Sequence, residues 1–528
     1  MRLWFLLLTY SALSFGQVPY QRILSADSEP GNWLSFAGGY QSHSYSALDR
    51  INTSNISGLR IAWMYQIKVS HHFETEPLVF DGVMYITEPP SDVTALDLRT
   101  GRPIWTYRRS LPKGVIVCCG QVNRGLAALD DQLFLGTVDG HLVALDMHSG
   151  RVRWDVEVAD YKQAYSVTAA PLAVKDKIIV GVAGAEYGVR GFVDAYDAKT
   201  GKRAWRFWTV PGPGEPANET WSGDSWKIGG ATTWVTGSYD PEANLTYWGT
   251  GNPSPDYVGD DRRGDNLYSD SIVALDADTG KLKWHFQFTP HDVLDMDANQ
   301  VPVLLDAEFR GRPRKLVLFA NRNGFYYVLD RLTGEFLVGK QFARQTWAKG
   351  LDDKGRPTWN PEAVPTAAGA LVYPDDDGTA NWFSPSLDLK TGLFYQNVRE
   401  KGAIQRLTRE KPTYNPGRLF MGGHRLPIPG EEPWGALRAL DWKTGETRWE
   451  FRVHTPPWCG VLSTAGNLVF SGTMEGDFFA LDAVSGQLLW RIQTGGAIWA
   501  NPISYMSEDK QYIVVSAGSS VIAFSLGQ

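Results

Sequence analysis

The chain runs to 528 residues, with 51 Lys plus Arg against 58 Asp plus Glu and a formal charge of −7; its pI is near 5.8. That acidic balance argues against nucleic acid as a partner, because such proteins present a basic face. Three cysteines, Cys118, Cys119 and Cys459, exclude a fold held by a disulfide framework. Long helical periodicities are scarce, and short β-prone runs broken by Gly, Asp and Asn predict an all-β chain.

From the N-terminus, Met1 to about Gly16 reads as a secretory signal. Arg2 is the charged start, Leu3 to Leu13 is mostly apolar, and the small residues Ser14 and Gly16 precede a cut at Gln17. The apolar run is too short to span a bilayer, and nothing later resembles a membrane helix. Residues 17–528 are therefore expected as one exported domain in an oxidising, periplasmic compartment. An early strand around 59–66 is expected to pair with the last strands, 512–525.

Next come Cys118 and Cys119, adjacent in Gly-Val-Ile-Val-Cys-Cys-Gly. A bridge between neighbours forces the peptide between them into a cramped ring, far from ordinary disulfide geometry. Strain of that kind gathers at functional sites. The alternative is a pair of small apolar thiols that never bond.

One phrase then recurs along the chain: small residue, apolar residue, Asp, two variable residues, Thr or Ser, Gly, and usually a Trp four residues on. Its copies carry Asp97, Asp146, Asp197, Asp276, Asp330, Asp388, Asp441 and Asp482, spaced 41 to 79 residues apart. Trp105, Trp154, Trp205, Trp284, Trp449 and Trp490 supply the aromatic; the fifth copy lacks it and the sixth has Tyr395 in its place. Asp and Thr or Ser cap a tight turn while Gly takes positive φ. The following strand then carries Trp into the contact between neighbouring blades. The spacing is that of four-stranded propeller blades with loop insertions, and an eight-bladed β-propeller is predicted. A propeller names no function by itself.

The gap between the third and fourth copies holds the densest unusual sequence, Trp221 through Tyr268, including Gly-Gly-Ala-Thr232-Thr-Trp234 and Gly-Thr-Gly-Asn252-Pro-Ser-Pro. The fourth copy is followed by Thr-Pro-His291-Asp292-Val-Leu-Asp295-Met-Asp297. In an extended segment Asp295 and Asp297 point to one side, and converging carboxylates are costly unless a cation neutralises them. The competing reading is a solvated acidic turn. His291 and the pair His71–His72 read as packing or surface residues. No Cys-x-x-Cys-His occurs, so no covalently attached c-type haem is expected. A Gly-rich nucleotide fingerprint with its helix is also missing.

Together these motifs closely resemble the pyrroloquinoline quinone (PQQ)-dependent methanol/ethanol dehydrogenases over nearly the whole mature chain. The resemblance is carried by Val-Cys118-Cys119-Gly-Gln-Val-Asn-Arg124-Gly and Ala183-Gly184-Ala185-Glu186-Tyr-Gly-Val-Arg-Gly. It extends through the segments of Trp234, Asn252 and Asp295 to Asn-Arg322-Asn-Gly-Phe-Tyr-Tyr-Val-Leu-Asp, in family order and spacing. It implies a Cys118–Cys119 disulfide on one face of PQQ and the Trp234 indole on the other. Arg124 is expected on a cofactor carboxylate, and Thr168 and Thr232, with the backbone of Gly184 and Ala185, as further polar contacts. Glu74 is expected at the cofactor edge, and Asn381, Trp382 and Trp458 at the rim. Ala183 departs from the Ser that relatives often carry, which removes one hydrogen bond or leaves it to water.

The resemblance also implies a cation held by Glu186, Asn252 and Asp295. Hard oxygen ligands suit Ca²⁺ or a comparable ion, and not zinc or copper. Relatives using calcium usually have an uncharged residue where this chain has Asp297, whereas those using a lanthanide carry a second Asp. A lanthanide is therefore expected, with calcium as the alternative. The implied reaction is oxidation of a small primary alcohol to an aldehyde, with Asp295 as general base and Arg322 stabilising developing negative charge. Electrons are expected to leave to a separate soluble cytochrome c. A sugar dehydrogenase with the same cofactor and a non-catalytic propeller scaffold are the rivals; the cysteine pair and the Glu/Asn/Asp ligand set favour the alcohol branch. The preferred alcohol and the oligomeric state, a homodimer included, are left open, and the later loops look compact.

Overall fold

The computed structural model describes residues 16–68 and 72–527. The signal read at the N-terminus, Gly16 apart, and His71 lie outside the described residues.

Eight antiparallel four-stranded sheets follow one another along the chain, one of them extended by a fifth, parallel strand. Seven are built in chain order, from residues 78–107, 127–157, 172–208, 238–287, 303–341, 386–453 and 462–493 (blades 1 to 7). The eighth joins Ile503–Ser507, Lys510–Ala517 and Ser520–Leu526 to Leu59–Gln66 from the other end of the chain. Leu59 pairs with Leu526 and Gln66 with Ser520, so the ring closes with one strand from each end. Closure matters because each blade buries both faces of its sheet only when flanked by two others.

The repeated phrase makes the blade contacts. The indole N–H groups of Trp105, Trp154, Trp205 and Trp284 donate to the carbonyls of Met147, Ala198, Ala277 and Arg331, at 3.2, 3.0, 3.1 and 2.9 Å. Each acceptor follows the Asp of the next blade. Trp63, on the closing strand, does the same to Leu98 at 2.9 Å and joins blade 8 to blade 1. Within each turn the Asp carboxylate accepts from the Thr or Ser three residues on; Asp97 takes the Thr100 N–H at 3.0 Å and its hydroxyl at 2.9 Å. The turn glycine is needed twice over. Gly280 has φ 69°, and a Cβ there would lie 2.4 Å from the Trp205 ring.

The sixth copy is out of phase. Asp388 ends the inner strand Ser386–Asp388, and the outer hairpin of blade 6 is the one at Asp441. Tyr395 therefore sits on the second strand, and its hydroxyl donates to the Ala483 carbonyl that also accepts from Trp449. Asp-x-x-Thr-Gly stabilises any tight hairpin, so turn chemistry does not distinguish the first hairpin of a blade from the third. The count of eight holds because blade 8 carries no copy and borrows its outer strand.

The N-terminal segment crosses the inner strands. Trp33 pairs with Val79, the Tyr40 hydroxyl donates to Ala173 at 2.7 Å, and Leu304 N–H donates to Gln41 at 2.9 Å. Tyr45–Ser46 then runs parallel to Ser463–Thr464. Nothing in the periodicity announced this crosspiece.

Candidate active site

In an antiparallel blade the loop entering the inner strand and the hairpin joining the second and third strands lie at one end. Glu74, Thr168, Trp234, Trp382, Trp458 and Trp499 each precede an inner strand by four residues, and all six line one cavity of ≈ 340 Å³. Gly184, Glu186 and Arg322 reach it from second hairpins, and Cys118, Cys119 and Arg124 from the loop entering blade 2. Asn381 completes the expected wall.

Arg124 organises the cavity. Its guanidinium lies 5.0 Å from the Trp234 ring centroid and 4.9 Å from that of Trp382. It is 2.8 Å from the Glu74 carboxylate and donates to the Thr168 hydroxyl at 3.1 Å. Burial lowers the pKa of Arg124; burial also pushes Glu74 up to about 7, against the pull of that guanidinium. A planar cation between indoles suits a flat, carboxylate-bearing ligand.

Several expectations need correction. Ala185 and Thr232 lie off the cavity wall: the Ala185 carbonyl accepts from the Ser254 hydroxyl, and the Thr232 carbonyl from the Gly251 N–H at 2.7 Å. Trp382 is not a rim residue but is 3 % exposed beside Arg124, because its position in the blade matches that of Trp234. Asn381 is equally buried; its carboxamide donates to the Asp377 carbonyl and accepts from the Trp382 N–H, both at 2.8 Å. Cys118 and Cys119 are unlinked, and Cys119 is left-handed at φ 62°.

Five wall residues were not foreseen: His72, Val122, Asp377, Arg425 and Trp499. His72 stacks on Trp499 at 4.1 Å, Trp499 on Trp458 at 5.7 Å, and the Arg399 guanidinium sits 3.9 Å from the Trp458 centroid. Trp499 could have been found by its place four residues before an inner strand. Arg425 comes from an accessory sheet of Ala370–Val372, Ala403–Leu407 and Gly423–Leu426, so the later loops are built up where compactness was expected.

Beside the wall lies the acidic group. Asp297 accepts from the Asn252 backbone N–H at 2.7 Å and from the Trp234 indole N–H at 3.1 Å. Arg322 Nη1 is 3.2 Å from both Asp295 Oδ1 and Asp297 Oδ2. The segment is not extended, since Asp295 has φ 60°; the two carboxylates converge through that left-handed residue and the shared arginine. Gly251 admits Asp297, for a Cβ there would lie 2.4 Å from Asp297 Oδ1. Burial, opposed by Arg322 and reinforced by Asp297, pushes the Asp295 carboxyl well above the usual range. Burial and then the Asp297 charge raise Glu186. Glu186 Oε2 and Asn252 Oδ1 are buried without a hydrogen-bond partner, and such orphans demand a ligand, an ion or water. Cys118, Cys119 and Glu186 bring ligand atoms within 4.8 Å of one another, but the unpartnered atoms are oxygens, which fit a hard cation.

A family model described as "PQQ: Glucose/ethanol/alcohol dehydrogenase, beta-propeller domain" matches residues 33–342 and 340–513. The quinoprotein alcohol dehydrogenase PedH of Pseudomonas putida is 39 % identical, over 95 % of this chain and 88 % of its own. The crystal structure of the quinohemoprotein alcohol dehydrogenase from Comamonas testosteroni superposes with a TM-score of 0.92 at 36 % identity, covering 97 % of this chain and 82 % of that one. A europium-containing methanol dehydrogenase gives 0.89 at 33 % identity, covering 96 % and 100 %. Propeller, aromatic-walled cavity and matches define a quinoprotein. The chain belongs to the PQQ-dependent quinoprotein alcohol dehydrogenase family.

Proposed function

We propose that this protein oxidises a primary alcohol to an aldehyde in the periplasm, with PQQ and a lanthanide ion, and hands the electrons to a separate cytochrome c. The observation that carries this reading is Arg124 held between two indoles, beside converging carboxylates and unpartnered buried oxygens. When bound, PQQ supplies the two-electron acceptor and the cation a Lewis acid. Trp234 and the Cys118–Cys119 pair provide walls for the cofactor. Arg124 and Thr168 supply donors to a ligand carboxylate. Glu186, Asn252 and Asp295 hold the cation. Asp295 takes the hydroxyl proton of the alcohol, and Arg322, 3.2 Å away, orients that carboxylate and offers a donor to developing negative charge.

Asp297 supports the lanthanide, because a trivalent ion offsets one more carboxylate than a divalent one. Enzyme from cells supplied with calcium and lanthanum should contain lanthanum by mass spectrometry and reduce a dye with alcohols but not with glucose. Calcium alone with full activity refutes the metal assignment, and glucose as the better substrate refutes the alcohol.

A further inference from the structure

Neighbouring side chains of an extended segment point to opposite faces, yet Cys118 and Cys119 deliver both sulfurs to one place. Cys119 is left-handed at φ 62° and Gly120 follows at φ 103°, which breaks the alternation. Glu186 meets them from the one-turn 3₁₀ element Ala185–Tyr187. Its backbone carbonyl is held by the Phe420 N–H at 2.7 Å. The two sulfurs and one Glu186 oxygen lie within 4.8 Å of one another. Tetrahedral zinc, with sulfur bonds of about 2.3 Å, sets two sulfurs about 3.8 Å apart, so the triad is close to a ligand set. All three residues line the cavity, and Cys119 is exposed, which leaves an ion a way in. A hard cation has no use for sulfur, whereas thiolates select soft ions.

We propose that Cys118, Cys119 and Glu186 form a second metal site, for a thiophilic divalent ion such as zinc, that exists only while both cysteines are thiols. Uptake forms two metal–sulfur bonds and one metal–oxygen bond and releases both thiol protons to solvent. Until then Cys118 keeps its proton, because the Cys119 thiol and then burial push it well above the usual thiol range. Three protein ligands leave the fourth tetrahedral position to water. Both metal sets need the Glu186 carboxylate, and two cations sharing it would repel, so they exclude one another. That exclusion alone rests on the cation assignment made under Proposed function.

Protein free of PQQ and metal is reduced with a phosphine and titrated with cadmium, a spectroscopic stand-in for zinc. Sulfur-to-cadmium charge-transfer absorption should saturate at one equivalent and vanish as zinc displaces the probe. Cys118→Ser and Cys119→Ser should each lower that absorption and weaken binding. Glu186→Gln should keep the absorption but bind cadmium more weakly, by at least the roughly tenfold to hundredfold that an outer-shell loss costs. Wild type treated with diamide, which takes two electrons and two protons as the sulfurs join, should bind no cadmium and needs no substitution. Unchanged affinity in Glu186→Gln, full absorption in both serine variants, or uptake that survives diamide overturns the proposal. Zinc-loaded protein offered PQQ and lanthanum together should take up no lanthanum by mass spectrometry until a chelator strips the zinc. Lanthanum bound beside zinc overturns the exclusion. Lanthanum refused also by zinc-free, diamide-treated protein with PQQ overturns the cation assignment and leaves the thiolate site standing.

Discussion

Glu74 offers a direct test of the electrostatics of the cavity. It is 3 % exposed, 2.8 Å from Arg124, and burial holds its pKa up at about 7. An ionised Glu74 repels a ligand bearing three carboxylates; a protonated one donates a hydrogen bond and leaves the Arg124 charge to that ligand. Cofactor binding above pH 7 should therefore take up one proton. The PQQ dissociation constant of wild type should rise by up to about tenfold per pH unit above that point, about 1.4 kcal/mol per unit. Glu74→Gln keeps the shape and a donor but does not titrate, so its affinity should stay level. Quenching of Trp234 and Trp382 fluorescence on titrating PQQ into apoprotein, at fixed metal and several pH values, gives both curves. A level wild-type curve, or a variant that keeps the wild-type slope, refutes the reasoning. The stability of apoprotein must move in the matching direction. The folded value of about 7 lies above the ordinary 4.5, so the contribution of Glu74 is fully present below 4.5 and is lost as pH rises through 7.

Asp295→Asn should abolish turnover while holoprotein keeps its quinone absorbance; retained turnover removes Asp295 as the base. Trp205→Ala should cost about 3–5 kcal/mol by opening the blade 3–4 contact, whereas Trp205→Phe, which loses chiefly the bond to Ala277, should cost about 1 kcal/mol. Melting that falls equally in the two variants contradicts the indole's role as a filled seat. Glu76→Ala strips the acceptor from Trp33 Nε1, Ala37 N and Asn501 Nδ2, at 2.8, 2.6 and 2.7 Å, each worth about 1–3 kcal/mol when left buried and unpaired. Lower melting and earlier proteolysis within residues 31–46 are expected, and wild-type resistance to both would show that the crosspiece is held elsewhere.

The blade repeat, the Trp contacts and the closing strand at 59–66 were legible in the sequence because their chemistry is short-range. The number of blades came out as eight only because the extra copy in blade 6 offsets the copy that blade 8 lacks. Asp, Thr, Gly and Trp of one copy lie within nine residues, and the hairpin they form is the same wherever it occurs. That sameness is also why Asp388 was read in the wrong phase: the turn reports a hairpin, not its place in the blade. The cofactor wall was legible where a motif carried it, as at Cys118, Arg124, Glu186 and Arg322. It was not legible at His72, Asp377 or Arg425, which sit in unremarkable local sequence, while Trp499 shows only through its spacing to the next inner strand.

Only the closed ring decided which side chains face one another. Trp382 became a buried neighbour of Arg124 because loops more than 250 residues apart enter at the same level of the ring. The sequence shows that Asp295 is an acid, but whether an acid is costly depends on what surrounds it. Desolvation and charge crowding arise when distant segments exclude water from one another. The composition of a segment determines its turns, and the tertiary structure alone determines the dielectric in which its charges must exist.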